Sequence, residues 1–166
     1  SFRYGGRASS ELLAHWSPRR DSRRLDEQRT EHVVTYTDPG SGLRVRAVGV
    51  AYRGYPTVEW TLHFRNAGSA PTGILEDIQA LDAVLALEGT NPPVLCWANG
   101  AFASVQGYAP RETVLEGPDT QLDLLPGGGK PSHEVLPYFN LARSAAGEGL
   151  GGAARARGVI LAIGWT

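Results

Sequence analysis

The side chains best able to do chemistry are few and widely spaced. The histidines are His15, His32, His63 and His133. None has the short spacing of a zinc site, and none lies beside a suitable cysteine or pair of acids. His32 and His63 fall on polar faces of predicted strands, which indicates solvated surface. The single cysteine, Cys96, lies in the apolar run VLCWA, which is typical of a small buried hydrophobe, and one cysteine excludes an intrachain disulfide.

The glycine-rich segment GGGKPS has some of the composition of a phosphate-binding loop but not its spacing. The first glycine of that motif should stand five residues before Gly129, where the chain has Leu124. Pro131 follows the lysine where Ser or Thr should bind magnesium, and a proline there prevents a helix from continuing the loop. We therefore predict no phosphate loop.

Neither paired carboxylates nor an activated nucleophile is evident. Glu76 and Asp77 are neighbours on a predicted strand, so their side chains point to opposite faces and cannot flank one glycosidic bond. Ser132 and His133 are adjacent in a loop, without a nucleophile motif such as G-x-S-x-G. The residues themselves predict no catalytic group.

Loops that combine aromatic and amide groups are the remaining candidates for sugar contacts. Aromatic rings can stack on the C–H faces of a sugar, amides can hold its hydroxyls, and binding residues concentrate on loops held by a rigid scaffold. The loops are residues 97–100, 130–133, 138–140 and 164–166. Core packing is the alternative for the aromatic residues, because Trp60 and Trp97 lie within strand patterns.

The elements that would position these loops are strands. Thr57 to Asn66 alternates strictly, with one apolar face made of Val58, Trp60, Leu62 and Phe64. After the loop NAGSAPTG, a second strand-like run extends from Ile74 to Leu87. We predict that the two runs form the central antiparallel pair of the domain.

Further strands are predicted on both sides of this pair. RTEHVVTYTD and LRVRAVGVAYR form a hairpin around PGSG. The later strands are VLCWA, QLDLLP, LPYFNLA and RGVILAIGWT, and the last is predicted to be a centre strand covered on both faces.

Residues 1–24 are predicted to be irregular, apart from a short helix in SSELLAHW capped by Ser9 or Ser10. The basic run RRDSRR is interpreted as a solvated loop rather than an anion site. AFASVQGYAPRETVLEGPDT shows little periodicity. About eight strands joined by turns indicate an all-β antiparallel sandwich or barrel.

Length and charge limit the number of domains and the kinds of partner that the chain can have. A chain of 166 residues is long enough for one domain, and the net charge of −1 argues against a nucleic-acid partner. No apolar run reaches the ~20 residues of a membrane span, and no signal-peptide pattern is present. The chain begins at Ser1 and contains no methionine, so we expect a segment of a longer product. It stops just after its most apolar strand, so we expect an incomplete domain that lacks the next hairpin partner.

Six stretches, in order, resemble the N-terminal domain of α-galactosidase-like enzymes of glycoside hydrolase family 36. They are SFRYGGRASSELLAHW, RTEHVVTYTDPGSGLRVRAV, YPTVEWTLHFRNAG, ILEDIQALD, GGKPSHEVLPYFNL and GVILAIGWT. The resemblance implies a β-supersandwich, similar to galactose mutarotase, that precedes a (β/α)₈ barrel. The barrel carries both catalytic aspartates of the retaining mechanism. The resemblance implies no catalytic residue, metal or cofactor in this chain.

The family's loop of type G-x-S-S-H-x-x-N-P-F lies towards the active-site mouth and corresponds here to GGGKPSHEVLPYF. Ser132, His133 and Pro137 match it and Tyr138 takes the aromatic place, whereas Leu136 replaces the asparagine. The family's Trp-Ala-Arg-Glu element corresponds to residues 99–102, and its Y-S-G-N ending to residues 164–166. These departures indicate a divergent branch.

The resemblance implies a non-catalytic role: packing on the barrel of the same polypeptide, shaping a pocket for an α-galactoside, and contact within a homo-oligomer. The residues expected nearest the sugar are Asn99, Ser132, His133 and Trp165. Neither a nucleic acid nor a membrane is an expected partner. A stand-alone carbohydrate-binding module and a purely structural or oligomerisation domain are the alternatives.

Overall fold

The computed structural model describes residues 1–100, 105–117, 119–130, 132–143 and 157–164. These residues form two compact units, Ser1–Val84 and Leu85–Thr166. Within the described residues, no helix is long and apolar enough to cross a membrane. All strand pairs among these residues are antiparallel, which confirms the predicted all-β, sandwich-like class. The elements are β1 (Arg3–Tyr4), β2 (Arg7–Ala8), α1 (Ser9–Leu13), β3 (Arg19–Arg24), β4 (Arg29–Thr37), β5 (Leu43–Tyr52), β6 (Val58–Asn66), β7 (Leu75–Glu76), β8 (Val94–Ala98), a 3₁₀ turn (Val105–Tyr108), β9 (Pro110–Val114), β10 (Tyr138–Arg143) and β11 (Arg157–Ala162).

The first unit is built on a four-stranded meander in the order β3-β4-β5-β6. The predicted hairpin is confirmed, since β4 pairs with β5 from Arg29 opposite Tyr52 to Thr37 opposite Arg44. Its turn is held by Asp38, whose carboxylate accepts hydrogen bonds from the backbone of Gly40 and from the backbone and hydroxyl of Ser41. These local bonds define the turn, and the Tyr4 hydroxyl adds a hydrogen bond to the Ser41 hydroxyl at 2.7 Å.

A second layer covers one face of this meander. The small sheet β2-β1-β7 and α1 bring Phe2, Leu12 and Trp16 against Leu43 and Val45 of β5, and all five side chains are buried. The ring of Phe2 also meets that of Phe64 edge to face, with centroids 5.4 Å apart. The core of the first unit therefore lies at the end of the meander where β5 begins and β6 ends.

The predicted central pair is wrong in its second half. Within Ile74–Leu87 only β7 is a strand, and it pairs with β1 rather than with β6. The chain instead crosses the sheet face, where Ala80 accepts a hydrogen bond from the indole N–H of Trp60 at 2.7 Å. β6 pairs instead with β5, through the short turn at residues 53–57, and its other edge has no partner among the described strands.

The N-terminal region differs from prediction in two ways. The Ser9 hydroxyl accepts a hydrogen bond from the backbone of Phe2, so it tethers β1 instead of capping α1, whose N-cap residue is Ala8. RRDSRR forms β3 and is not a loop, although all its residues are exposed as predicted. Its sequence lacks an apolar period because neither face of β3 enters the core, and pairing with β4 supplies the strand conformation.

The second unit contains a four-stranded sheet in the order β11-β10-β8-β9. Three of these strands confirm predictions made for VLCWA, LPYFNLA and RGVILAIGWT. β9 was not predicted, and QLDLLP belongs to no strand. β11 was predicted to be a covered centre strand, but among the described strands it lies at the sheet edge, with Ile160 62% exposed. Its apolar run alone could not distinguish an edge from a centre position.

Candidate functional site

Gly100, the residue after Asn99, lies close to the backbone of Ser132 just beyond the end of β8. Gly100 is buried and has φ +72°, and a Cβ at this position would lie 2.2 Å from the Ser132 carbonyl oxygen. Only glycine permits such an approach. A backbone hydrogen bond of 2.9 Å from Leu136 to Ala98 holds the same two segments together. Two of the predicted sugar-contact loops are therefore neighbours.

The second of these loops is a compact turn with a buried anchor. The backbone of Gly127 donates to the carbonyl of His133 at 2.8 Å, and the backbone of His133 donates to that of Lys130 at 3.3 Å. Val135 is only 6% exposed and fixes the loop on the unit, while Glu134 has φ +69°. A left-handed conformation in a non-glycine residue persists only where the surroundings hold it in place, so the packing around Val135 must stabilise Glu134.

His133 lies beside a carboxylate. Its Nδ1 is 3.8 Å from Oε1 of Glu134, and the histidine side chain is 20% exposed against 59% for the glutamate. Asn99 and Ser132 are half-buried. An amide, a hydroxyl and an imidazole supply both donors and acceptors, the chemistry needed to hold sugar hydroxyls.

The fourth predicted residue, Trp165, lies outside the described residues. The strand that precedes it does reach the loop, since the backbone of Ile163 donates to the Pro137 carbonyl at 2.9 Å. The predicted contact segment 138–140 is part of β10, and Tyr138 is 49% exposed. The ends of β8 and β10, the described end of β11 and the loop 127–137 thus meet in one region.

Trp97 contacts β9, a strand that was not predicted from the sequence. Its indole N–H donates to the Thr113 hydroxyl at 3.1 Å, and the guanidinium of Arg111 lies 5.3 Å from the ring centroid. Both partners belong to β9, where Arg111 is directly opposite Trp97. A cation over the ring occupies a face on which a sugar would stack, which favours the structural alternative for this tryptophan. The alternation of Arg111 and Thr113 is the sequence signal for β9, but an alternation over so few residues does not predict a strand.

Cys96 is not an activated thiol. Burial raises its pKa, and the Glu112 carboxylate, directly across on β9, raises it further. The thiol therefore stays protonated at neutral pH and is a poor nucleophile. Among the residues that the structure describes, no three His, Cys, Asp or Glu side chains are placed to hold a metal ion.

A polar groove of about 440 Å³ lies in the first unit, along β3, β4 and β5. Its lining includes Arg19, Glu31, Arg44 and Arg46 and contains none of the predicted site residues. No function was predicted for this face of the meander.

The chain was also compared with protein-family models, with curated proteins and with solved structures, and none of the three comparisons gives a match.

Proposed function

We propose that this chain is a non-catalytic β-sandwich domain of a retaining α-galactosidase-like glycoside hydrolase, which packs on the catalytic barrel and helps to shape the sugar pocket. The observation that carries the proposal is the contact of Gly100 with Ser132, which unites two loops chosen from the sequence as sugar contacts. Asn99, Ser132 and His133 are the proposed contact residues, with Trp165 as the aromatic member.

The chemistry of this group suits binding rather than bond cleavage. Retaining hydrolysis needs two carboxyl groups on opposite sides of the scissile bond, about 5–5.5 Å apart. In the proposed group, the Glu134 carboxylate lies beside His133. In this proposal the barrel supplies both carboxylates and the parent reaction releases terminal α-galactose, while this domain fixes hydroxyl groups at the pocket rim.

The experiment starts with the intact mass of the native gene product. A product larger than 17.8 kDa by a barrel of ~250 residues agrees with the proposal. In that product, the double variant Ser132→Ala/His133→Ala should lower kcat/KM for an α-galactoside about tenfold, the loss of one or two hydrogen bonds to substrate.

A matched control exists in the first unit. The Ser22 hydroxyl and His32 Nδ1 are 2.8 Å apart on an exposed sheet face, so Ser22→Ala/His32→Ala removes the same groups away from the proposed site. The control should leave kcat/KM unchanged. Equal kinetics for the two double variants would refute the residue assignment. A native mass near 17.8 kDa together with sugar binding by the isolated chain would instead favour the stand-alone binding module.

A further inference from the structure

β6 is an edge strand with an unused row of backbone groups. Among the described strands it pairs only with β5. At the two ends of the ladder, Tyr52 donates to Thr57 and Ala67 donates to Gly42, and the register between them is continuous. Antiparallel strands alternate between residues that bond to the partner and residues that point away from it. The odd-numbered residues of β6 therefore bond to β5, and the N–H and C=O groups of Val58, Trp60, Leu62 and Phe64 point outward.

The two faces of this edge have different chemistry. Directly opposite residues share a face, so His63 and Arg65 lie with Arg46 and Arg44 of β5 on one side of the sheet. The other face carries the apolar side chains of β6. Of these, Val58 is 62% and Trp60 42% exposed. A segment pairing with this edge would meet charge at alternate positions and apolar surface between them.

The charged face lacks acids at this end. Arg44 lies directly opposite Arg65, and like charges in that position destabilise a sheet. The acids elsewhere on the same face are already engaged: Asp21 with Arg19 at 3.0 Å, Glu31 with Arg23 at 3.0 Å, and Glu59 with the Tyr52 hydroxyl at 2.9 Å. Within the described part of the chain, the guanidinium groups of Arg44, Arg46 and Arg65 have no acidic partner. The arrangement is complementary to an added negative charge.

The strand at the opposite edge of the meander, β3, is protected against pairing with another chain. β3 carries Arg19, Arg20, Arg23 and Arg24, so both its faces are charged, and every residue is exposed. Charge on both faces discourages pairing with another chain. β6 has the alternating pattern of a strand that normally has a neighbour.

We propose that β6 is a docking edge for an extended segment of a partner protein in which acidic and apolar residues alternate. The segment would add a fifth strand to the meander. Its backbone would bond to Val58, Trp60, Leu62 and Phe64, its carboxylates would lie over His63 and Arg65, and its apolar side chains would extend the surface of Val58 and Trp60. This is strand addition, in which main-chain bonds give affinity and alternate side chains give specificity.

The test uses the full 166-residue chain and a fluorescent peptide of about ten residues that alternates valine and glutamate. Anisotropy should report saturable binding that weakens as salt is added. A peptide of the same composition with its glutamates in one block should bind at least tenfold more weakly, because it cannot present carboxylates to one face only. Amide hydrogen exchange should slow at Trp60 and Leu62 on binding, whereas Thr61 and His63, already bonded to β5, should change little.

A charge exchange gives the sharpest control. Arg65→Glu should weaken binding of the glutamate peptide about tenfold and favour a valine–lysine peptide instead, while Arg20→Glu on β3 should leave both affinities unchanged. The proposal is overturned if the alternating and block peptides bind equally, if Arg65→Glu and Arg20→Glu behave alike, or if exchange at Trp60 and Leu62 is unaffected. Self-association of the chain that blocks peptide binding would show that a second copy occupies this edge, and would also overturn the proposal.

Discussion

The two four-stranded sheets have similar sizes, but their strands are connected differently along the chain. In the meander, strand order follows chain order, and the connections are residues 25–28, 38–42 and 53–57. In the second sheet, β8 pairs with β10 although residues 99–137 lie between them. The first sheet closes through local turns, whereas the second depends on long-range contacts such as Gly100 against Ser132. Long-range contacts cost more loop-closure entropy, so the second sheet relies more on individual close approaches.

The largest expected effect is in the core of the meander. Leu43 is 1% exposed, and Leu43→Ala should reduce the free energy of unfolding by about 4 kcal/mol through lost burial and the cavity left behind. Ile160 on the second sheet is 62% exposed, so Ile160→Ala should cost less than about 1 kcal/mol. Urea denaturation of both variants measures the difference. Similar costs would mean that the edge of the second sheet is covered in solution.

Gly100→Ala tests the long-range contact of the second sheet. A methyl group there meets the Ser132 carbonyl oxygen at 2.2 Å and requires φ +72° of a non-glycine residue, so we expect a loss of about 3 kcal/mol. Gly117→Ala is the control, since a Cβ there has nothing within 4 Å. Urea midpoints and near-ultraviolet circular dichroism are the measurements. A Gly100→Ala variant as stable as the control would show that this contact is dispensable.

Asp38 tests the local turn of the meander. The hydrogen bond from the Ser41 hydroxyl is the main cause that lowers the pKa of Asp38, and the backbone of Gly40 and Ser41 adds to it. A carboxyl whose pKa is lower in the folded protein stabilises the fold above its unfolded pKa, and the contribution is lost as pH falls through the folded pKa. Asp38→Asn should cost about 1 kcal/mol at pH 7.

The cost of Asp38→Asn should shrink as the pH falls below ~4, the pKa of the unfolded carboxyl, and then through the lowered pKa of the folded carboxyl. Denaturation midpoints of both proteins between pH 7 and pH 2.5 measure this convergence. If the two curves stay parallel over that range, the carboxylate does not hold the turn.

The smallest effect should come from Arg111. Its guanidinium lies over Trp97, and Arg111→Ala should cost about 0.5–1 kcal/mol and change the near-ultraviolet signal. Arg19 makes an exposed ion pair with Asp21, so Arg19→Ala should cost no more than about 0.5 kcal/mol. Equal costs would indicate that the cation–π contact adds nothing beyond an exposed ion pair.

Several features follow from the sequence alone. The alternation of Thr57 to Asn66 and the glycine-rich turn after Asp38 determine β6 and the β4–β5 hairpin, because side-chain period and turn chemistry act within a few residues. Asn99, Ser132 and His133 were selected from loop composition and from a resemblance to a family.

Other features needed the tertiary structure. Ile74–Leu87 could have paired with the open edge of β6, but β7 pairs with β1 and the indole of Trp60 binds the carbonyl of Ala80. RRDSRR is a strand only because β4 lies beside it, and the position of β11 depends on which strands surround it. The contact of Gly100 with Ser132 joins residues far apart in the chain. Periodicity describes a strand's faces but not its neighbours, so pairing and close approach are decided only when the whole unit packs.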